Sequence, residues 1–275
     1  MALDPIEPAA FHFILQVERF YASLIAAASA DFGPDAEPGL GGRLLYAGEL
    51  DGEGRALLVA GNVAGAASLA ATADAAAQKQ AVRDGVVDFL VTSLDEALRI
   101  LKNEIRKRET VAICVGAAPE AVEREMLERG VLPDLLASGF PGGPRSSISF
   151  GEGAHEIKLA VPEESQTLLT WRVATAPAIW MPRLDAIALD CLRPDLVPKR
   201  AARRWLRLAP RYLGRLAQGV RVLYCEPEAA NEFAFRVQAG VKCGEIGVKV
   251  WISLCNKDGT FLIQPSPAAA PESAD

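Results

Sequence analysis

The sequence predicts an α/β protein: a mainly parallel sheet with helices packed on it, followed by a C-terminal α+β portion. Three observations carry this. Short apolar runs alternate with helical patterns between residues 57 and 137, and such alternation implies parallel strands joined by right-handed crossovers. The helical patterns carry end signals: Ser93 and Pro119 at starts, Gly85 and Gly130 just past ends. The pattern breaks at the glycine- and proline-rich stretch 139–144 and resumes with a different order of elements.

In chain order, residues 9–30 place Phe11, Ile14, Leu15, Val17, Phe20 and Leu24 on a helical period. Residues 35–42 are proline- and glycine-rich and read as a loop. Residues 43–47 and 56–60 read as strands around a turn centred on Asp51, Gly52, Glu53 and Gly54. The strand ending at residue 60 leads into an alanine-rich helix over 64–83, closed by Gly85. A strand at 86–91 leads to a helix over 94–108. There Ser93 and Glu96 form a capping box, and Leu94, Ala97, Leu98, Leu101 and Ile105 form the buried stripe. A strand at 111–115, a helix at 119–129 and a strand at 132–137 complete this part. Beyond the break the expected strands are 157–161, 167–173, 220–224, 233–238 and 248–254, and the expected helices are 183–191 and 198–217. The chain therefore divides into an N-terminal helix and loop (1–42), an α/β unit (43–138), an α+β portion (145–264) and a disordered tail (265–275).

With 275 residues, half of them hydrophobic, the chain can fill one large core or two small ones. A net charge of −6 gives no electrostatic reason to seek nucleic acid. No apolar run reaches the length of a membrane span, and the first residues lack a basic-then-apolar leader, so a cytoplasmic protein is expected. The five cysteines, Cys114, Cys191, Cys225, Cys243 and Cys255, are widely spaced and read as reduced thiols. With His12 and His155 as the only histidines, no metal site is expected.

The stretch "LLVAGNVAGAASLAAT", residues 57–72, is the most suggestive. Gly61, Gly65 and Ala67 sit between an expected strand and an expected helix, a relaxed relative of the dinucleotide fingerprint. Glycine there turns the chain and lets backbone N–H groups approach a pyrophosphate at a helix start. The same glycines serve equally as a plain corner. The acid that holds ribose hydroxyls is missing from the expected second-strand tip, which is Thr92-Ser93. On this reading the cofactor contacts are Gly61, Asn62, Gly65, Ala66, Thr92 and Gly116, at the expected strand ends. No catalytic residue is assigned.

Residues 57–136 resemble the nucleotide-binding domain of the urocanase (urocanate hydratase) family. "AGNVAGAASLAAT" resembles that family's glycine-rich turn and the "PLAAT" that follows it. "SLDEALRILKNEIRKRETVAICVGAAPEAV" resembles the next helix–strand–helix, where members read like "LDDAL…ISIALHGNAAEIL". "LERGVLPDLL" resembles the family's "RGV-PD" and the apolar pair after it. The resemblance implies a Rossmann-like domain that binds NAD tightly, with the cofactor acting as an electrophile toward an imidazole ring. The departures are specific. Asn62, Val63 and Ala64 stand where the family is glycine-rich, and the stretch between Thr72 and Leu94 is shorter. After "RGVLPDLL" the polar, substrate-facing segment is replaced by "ASGFPGGPRSS". The family's large catalytic core has no counterpart in residues 145–275.

Other features have plainer explanations. Arg200, Arg204, Arg207, Arg211 and Arg215 share a helical face opposite Trp205, Ala209, Tyr212 and Leu216, with Pro210 as a kink. A solvated face, or a subunit contact, is the expectation. His155-Glu156 reads as a turn dipeptide, and Trp171, Trp180 and Trp251 as packing for the second half. Three functions are compatible with these readings. The first is a urocanase-like nucleotide-binding protein without hydratase activity by itself. The second is an interaction or regulatory module that has lost the cofactor. The third is a small enzyme with a new site at the C-terminal edge of the sheet. A small molecule or nucleotide is the expected partner, and association with a second copy is left open.

Overall fold

The computed structural model describes residues 8–28, 38–137, 150, 155–157, 166–192, 197–256 and 259–267. The first half is a parallel sheet of six strands: β1 (Leu44–Glu49), β2 (Ala67–Ala71), β3 (Phe89–Val91), β4 (Val111–Val115), β5 (Leu135–Ala137) and β6 (His155–Ile157). Their order is β3-β4-β2-β1-β5-β6, so the winding reverses between β1 and β5. The helices of this half are α1 (Pro8–Ala27), α2 (Gly52–Ala64), α3 (Ala75–Arg83), α4 (Leu94–Lys107) and α5 (Pro119–Glu128). The second half holds an antiparallel sheet, β10-β9-β7-β8, made of β7 (Thr167–Arg172), β8 (Val220–Cys225), β9 (Trp251–Asn256) and β10 (Gly259–Ile263). Helices α6 (Pro177–Cys191), α7 (Val197–Leu213) and α8 (Pro227–Lys242) pack with it.

Side-chain alternation assigns the faces of the first sheet. Leu44, Tyr46, Leu69, Ile113 and Val115 point to a core shared with Leu94, Leu98 and Leu101 of α4 and Val122 and Met126 of α5. Leu45, Ala47, Ala70, Ala112 and Cys114 point the other way, into a core that continues through α1, α2 and α7 to Trp171 and Ile252 of the second sheet. In α1, Ile14, Val17, Phe20, Tyr21 and Leu24 are all at most 3% exposed. Burying each such side chain contributes roughly 1.5–3 kcal/mol. The Tyr21 ring lies 5.3 Å from Trp205 of α7, and the Trp205 indole N–H donates to Val222 O at 2.9 Å. Trp171 meets Phe233 of α8 at 5.0 Å and donates to Asp185 of α6.

The fold class stands, but three expected elements do not. Residues 57–60 lie inside α2, not in a strand. Every residue from Ala56 to Ala64 is buried, so the continuous apolar run carries no periodic signal to separate helix from strand. The alanine-rich stretch 64–83 is not one helix. It is the C-terminus of α2, then β2, then α3. All five residues of β2 are buried between β1 and β4, and tertiary context overrides alanine's helix preference. The expected sheet strand at Leu57 is thus replaced by β2, one element later. Residues 233–238 belong to α8, where Ala230, Phe233, Ala234, Val237 and Val241 are buried at helical spacing and Phe235 faces solvent. His155 and Glu156 are in strand β6, not in a turn. The linker 139–144 and residues 268–275 of the tail lie outside the described residues.

Candidate functional site

In an open parallel sheet, ligands sit beyond the carboxyl ends of the strands, where the winding reverses. Here that place is the end of β1 beside β5. Strand β1 is irregular between Tyr46 and Gly48, and Gly48 has φ 72°, a value glycine tolerates. The chain then runs Glu49-Leu50-Asp51-Gly52-Glu53-Gly54 into α2. Gly54 is obligatory, because a Cβ there would lie 1.9 Å from Glu49 O. Gly52 is not, because a Cβ there would meet nothing within 4 Å.

The first turn of α2 is capped by the chain itself. The Asp51 carboxylate accepts from Glu53 N at 3.0 Å and from Gly54 N at 2.9 Å. These are N–H groups that a helix start would otherwise offer to a phosphate. Glu49 and Glu53 flank Asp51. Partial burial, and then the neighbouring Asp51 charge, hold the Glu53 carboxyl above its ordinary value. Its Oε2 is buried and makes no hydrogen bond. Arg55, the nearest cation in sequence, is turned away and pairs with Asp84.

The turns into α3 and α4 are also self-capped, whereas α5 starts after Ala118 with no side-chain cap. Asp74, at the tip of β2, accepts from Ala76 N, and the Thr72 hydroxyl accepts from Asp74 N. Gln78 reaches back to Thr72 O. Ser93 caps α4 by accepting from Glu96 N, while Glu96 accepts from Thr92 N at 3.4 Å. Gly116 N donates to Val91 O. Cys114 is buried on β4, and burial pushes its thiol up to about 11, which leaves it unreactive as a nucleophile.

The six residues expected to hold a cofactor are split between opposite edges of the sheet. Thr92 and Gly116 are exposed at the C-terminal edge. Gly61, Asn62, Gly65 and Ala66 lie at the far end of α2, with no free backbone facing a ligand. Gly61 is a packing glycine: a Cβ would come within 2.7 Å of Leu45 and 2.8 Å of Ser68. Asn62 is 2% exposed and donates to Val86 O. Gly65 has φ 90° and closes α2, with its N–H donating to Gly61 O and Asn62 O, and Ala66 N also donates to Gly61 O. This is the negative end of the helix dipole, and an arginine serves it: Arg204 of α7 donates from Nε to Val63 O at 2.7 Å.

The expectation of an exposed arginine face on α7 is therefore corrected in part. Arg207 and Arg211 are exposed, but Arg200 and Arg204 are half-buried. The residues that sequence reasoning misses are Gly48, Asp51, Gly52, Gly54 and Asp74. The glycine spacing of "GELDGEG" is a usable signal, and Asp74 follows Gly54 by the roughly twenty residues at which a ribose-binding acid is sought.

Residues 17–139 match the urocanase Rossmann-like domain. The chain is also 30% identical over 157 residues to the S-methyl thiourocanate hydratase of a Variovorax species. That similarity covers 55% of this chain and 28% of the relative, so the chain spans well under half the length of the curated relative it matches. The urocanase-like half thus takes in β1 to β5 of the parallel sheet, the helices between them and part of α1. Among the described residues there is no cluster of His, Cys, Asp and Glu able to hold a metal ion, and no helix long and apolar enough to cross a membrane.

Proposed function

We propose that this chain is a urocanase-like protein that does not hydrate urocanate by itself, and that its Rossmann-like half acts as an interaction or regulatory module. One observation carries the reading. At the switch-point turn, where a dinucleotide pyrophosphate would be expected, Asp51 already occupies Glu53 N and Gly54 N, with Glu49 and Glu53 alongside. Three carboxylates and two phosphates repel one another, and two of the helix N–H groups that would offset the repulsion are taken. NAD, which the family resemblance implies, does not fit this turn as it stands. The acid at the tip of β2, Asp74, would suit a ribose, yet it too is engaged as a helix cap.

Among the described residues, the C-terminal edge of the sheet also carries no imidazole. His155 is in the outermost strand β6, paired with Leu135 at the start of β5, and Cys114 is held as a thiol. An acid–base group contributes about 10²–10⁴-fold to a rate, and here the Asp51 and Asp74 carboxylates are engaged as helix caps. The test follows the absorbance of urocanate, and separately of S-methyl thiourocanate, with purified protein and excess NAD. No steady loss is expected. A loss that requires NAD and disappears in Gly52→Trp would overturn the reading.

A further inference from the structure

The second half contains a cavity of about 400 Å³ between α6, α7 and the short 3-10 turn Gly214–Ala217 that follows α7. That volume is within the range of small-molecule sites. The cavity is remote in sequence from the switch-point turn, and a ligand there is independent of the function proposed above. Its walls are apolar: Pro177, Met181 and Pro182 from α6, and Pro210 from α7. Its polar side chains are all donors or neutral, and no carboxylate lines it.

Arg221 of β8 is the buried one among them, 9% exposed. Its Nε donates to Asp185 Oδ2 at 3.1 Å, and its Nη1 donates to Ala217 O at 2.6 Å and Val220 O at 2.8 Å. These contacts fix the guanidinium plane and leave Nη2 with no partner among the described residues. Arg215 and Gln218 are exposed at the mouth, and their side chains make no hydrogen bond or ion pair among the described residues. The remaining contribution is backbone. No side chain caps the first turn of α6, and Ala176 before it is held at φ 49°, a conformation alanine rarely adopts. Ala178, in that first turn, lines the cavity.

We propose that this cavity binds a small organic monocarboxylate with a compact apolar body. The charge balance selects a single negative charge. Arg221 is offset by Asp185, which leaves Arg215 and the partial positive charge of the α6 terminus, roughly half a unit. A dianionic phosphate would be under-compensated there and would leave the proline and methionine walls unused. A neutral apolar molecule would leave the Arg221 Nη2 donor desolvated without an acceptor. A carboxylate takes a planar fork from arginine and presents its body to the apolar walls.

The experiment is an amide NMR titration of the full chain with benzoate, with benzyl alcohol as the neutral isostere and with inorganic phosphate. Benzoate is expected to give saturable shifts at Ala178, Gln218 and Arg221, with benzyl alcohol and phosphate at least ten-fold weaker. Arg215→Glu alters an exposed, unpaired residue, so the spectrum should be otherwise unchanged while benzoate binds at least ten-fold more weakly. Ala178→Trp, also at an exposed position, should block the mouth and abolish the shifts. Shifts that do not saturate, equal affinity for benzyl alcohol, tighter binding of phosphate, or undiminished binding in both variants would each overturn the proposal.

Discussion

Gly54→Ala is expected to destabilise the protein by about 3 kcal/mol or more, because overpacking against fixed backbone strains the fold. The added Cβ would lie 1.9 Å from Glu49 O and 3.0 Å from the Glu49 carbonyl carbon. Neither atom can swing aside as a side chain would. Relief requires the β1–α2 turn to open, which breaks the Asp51 cap and loosens a helix buried along almost its whole length. Gly52→Ala, two residues earlier, meets nothing within 4 Å and should change stability by less than about 1 kcal/mol. Urea denaturation midpoints of the two variants measure the contrast. A Gly54→Ala protein as stable as Gly52→Ala would mean that the turn is not built as described.

The second large effect is expected at Glu18. This residue of α1 is 5% exposed, and its Oε2 is buried without a hydrogen bond. Burial pushes its carboxyl up to about 8 against an ordinary 4.5, with Arg19 pulling weakly the other way. A carboxyl whose folded value is raised stabilises the fold while protonated. That stability is fully present below about 4.5 and is lost as pH rises through about 8. Glu18→Gln removes the ionisation. It should therefore leave stability nearly unchanged at about pH 4.5 and raise it at about pH 8.5, by on the order of 2–4 kcal/mol. Thermal unfolding of both proteins across that range measures the difference. A Glu18→Gln protein that is less stable at the alkaline end would show that the carboxylate has a charged partner in the folded state.

How much of the fold is legible in the sequence depends on whether an element has a solvent side. Helix α4 is amphipathic, with Leu94, Ala97, Leu98 and Leu101 inward and charges outward, and its Ser93 cap is readable. Pro119 marks the start of α5 in the same way. Helix α2 and strand β2 have no solvent side, so their alanines, valines and leucines carry no period. Reading α2 as a strand moves the expected glycine turn from one end of the helix to the other. Gly61 and Gly65 then fall to a phosphate, whereas one packs against Leu45 and Ser68 and the other ends the helix. The acids of "GELDGEG" are in plain view, but their meaning depends on α2 starting at Gly52. The Arg204 contact to Val63 joins residues 141 apart in sequence, a distance over which local pattern is silent.

If the switch-point turn is closed to a dinucleotide by its own carboxylate, the wild-type chain should ignore NAD. Calorimetric titration of the purified chain with NAD reads this without an intermediary, with Asp51→Ser measured beside the wild type. No saturable heat is expected from the wild-type chain up to millimolar NAD, and detectable binding is expected only once the Asp51 charge is removed. Saturable binding of NAD by the wild-type chain, weakened by Gly52→Trp, would show instead that the turn is open.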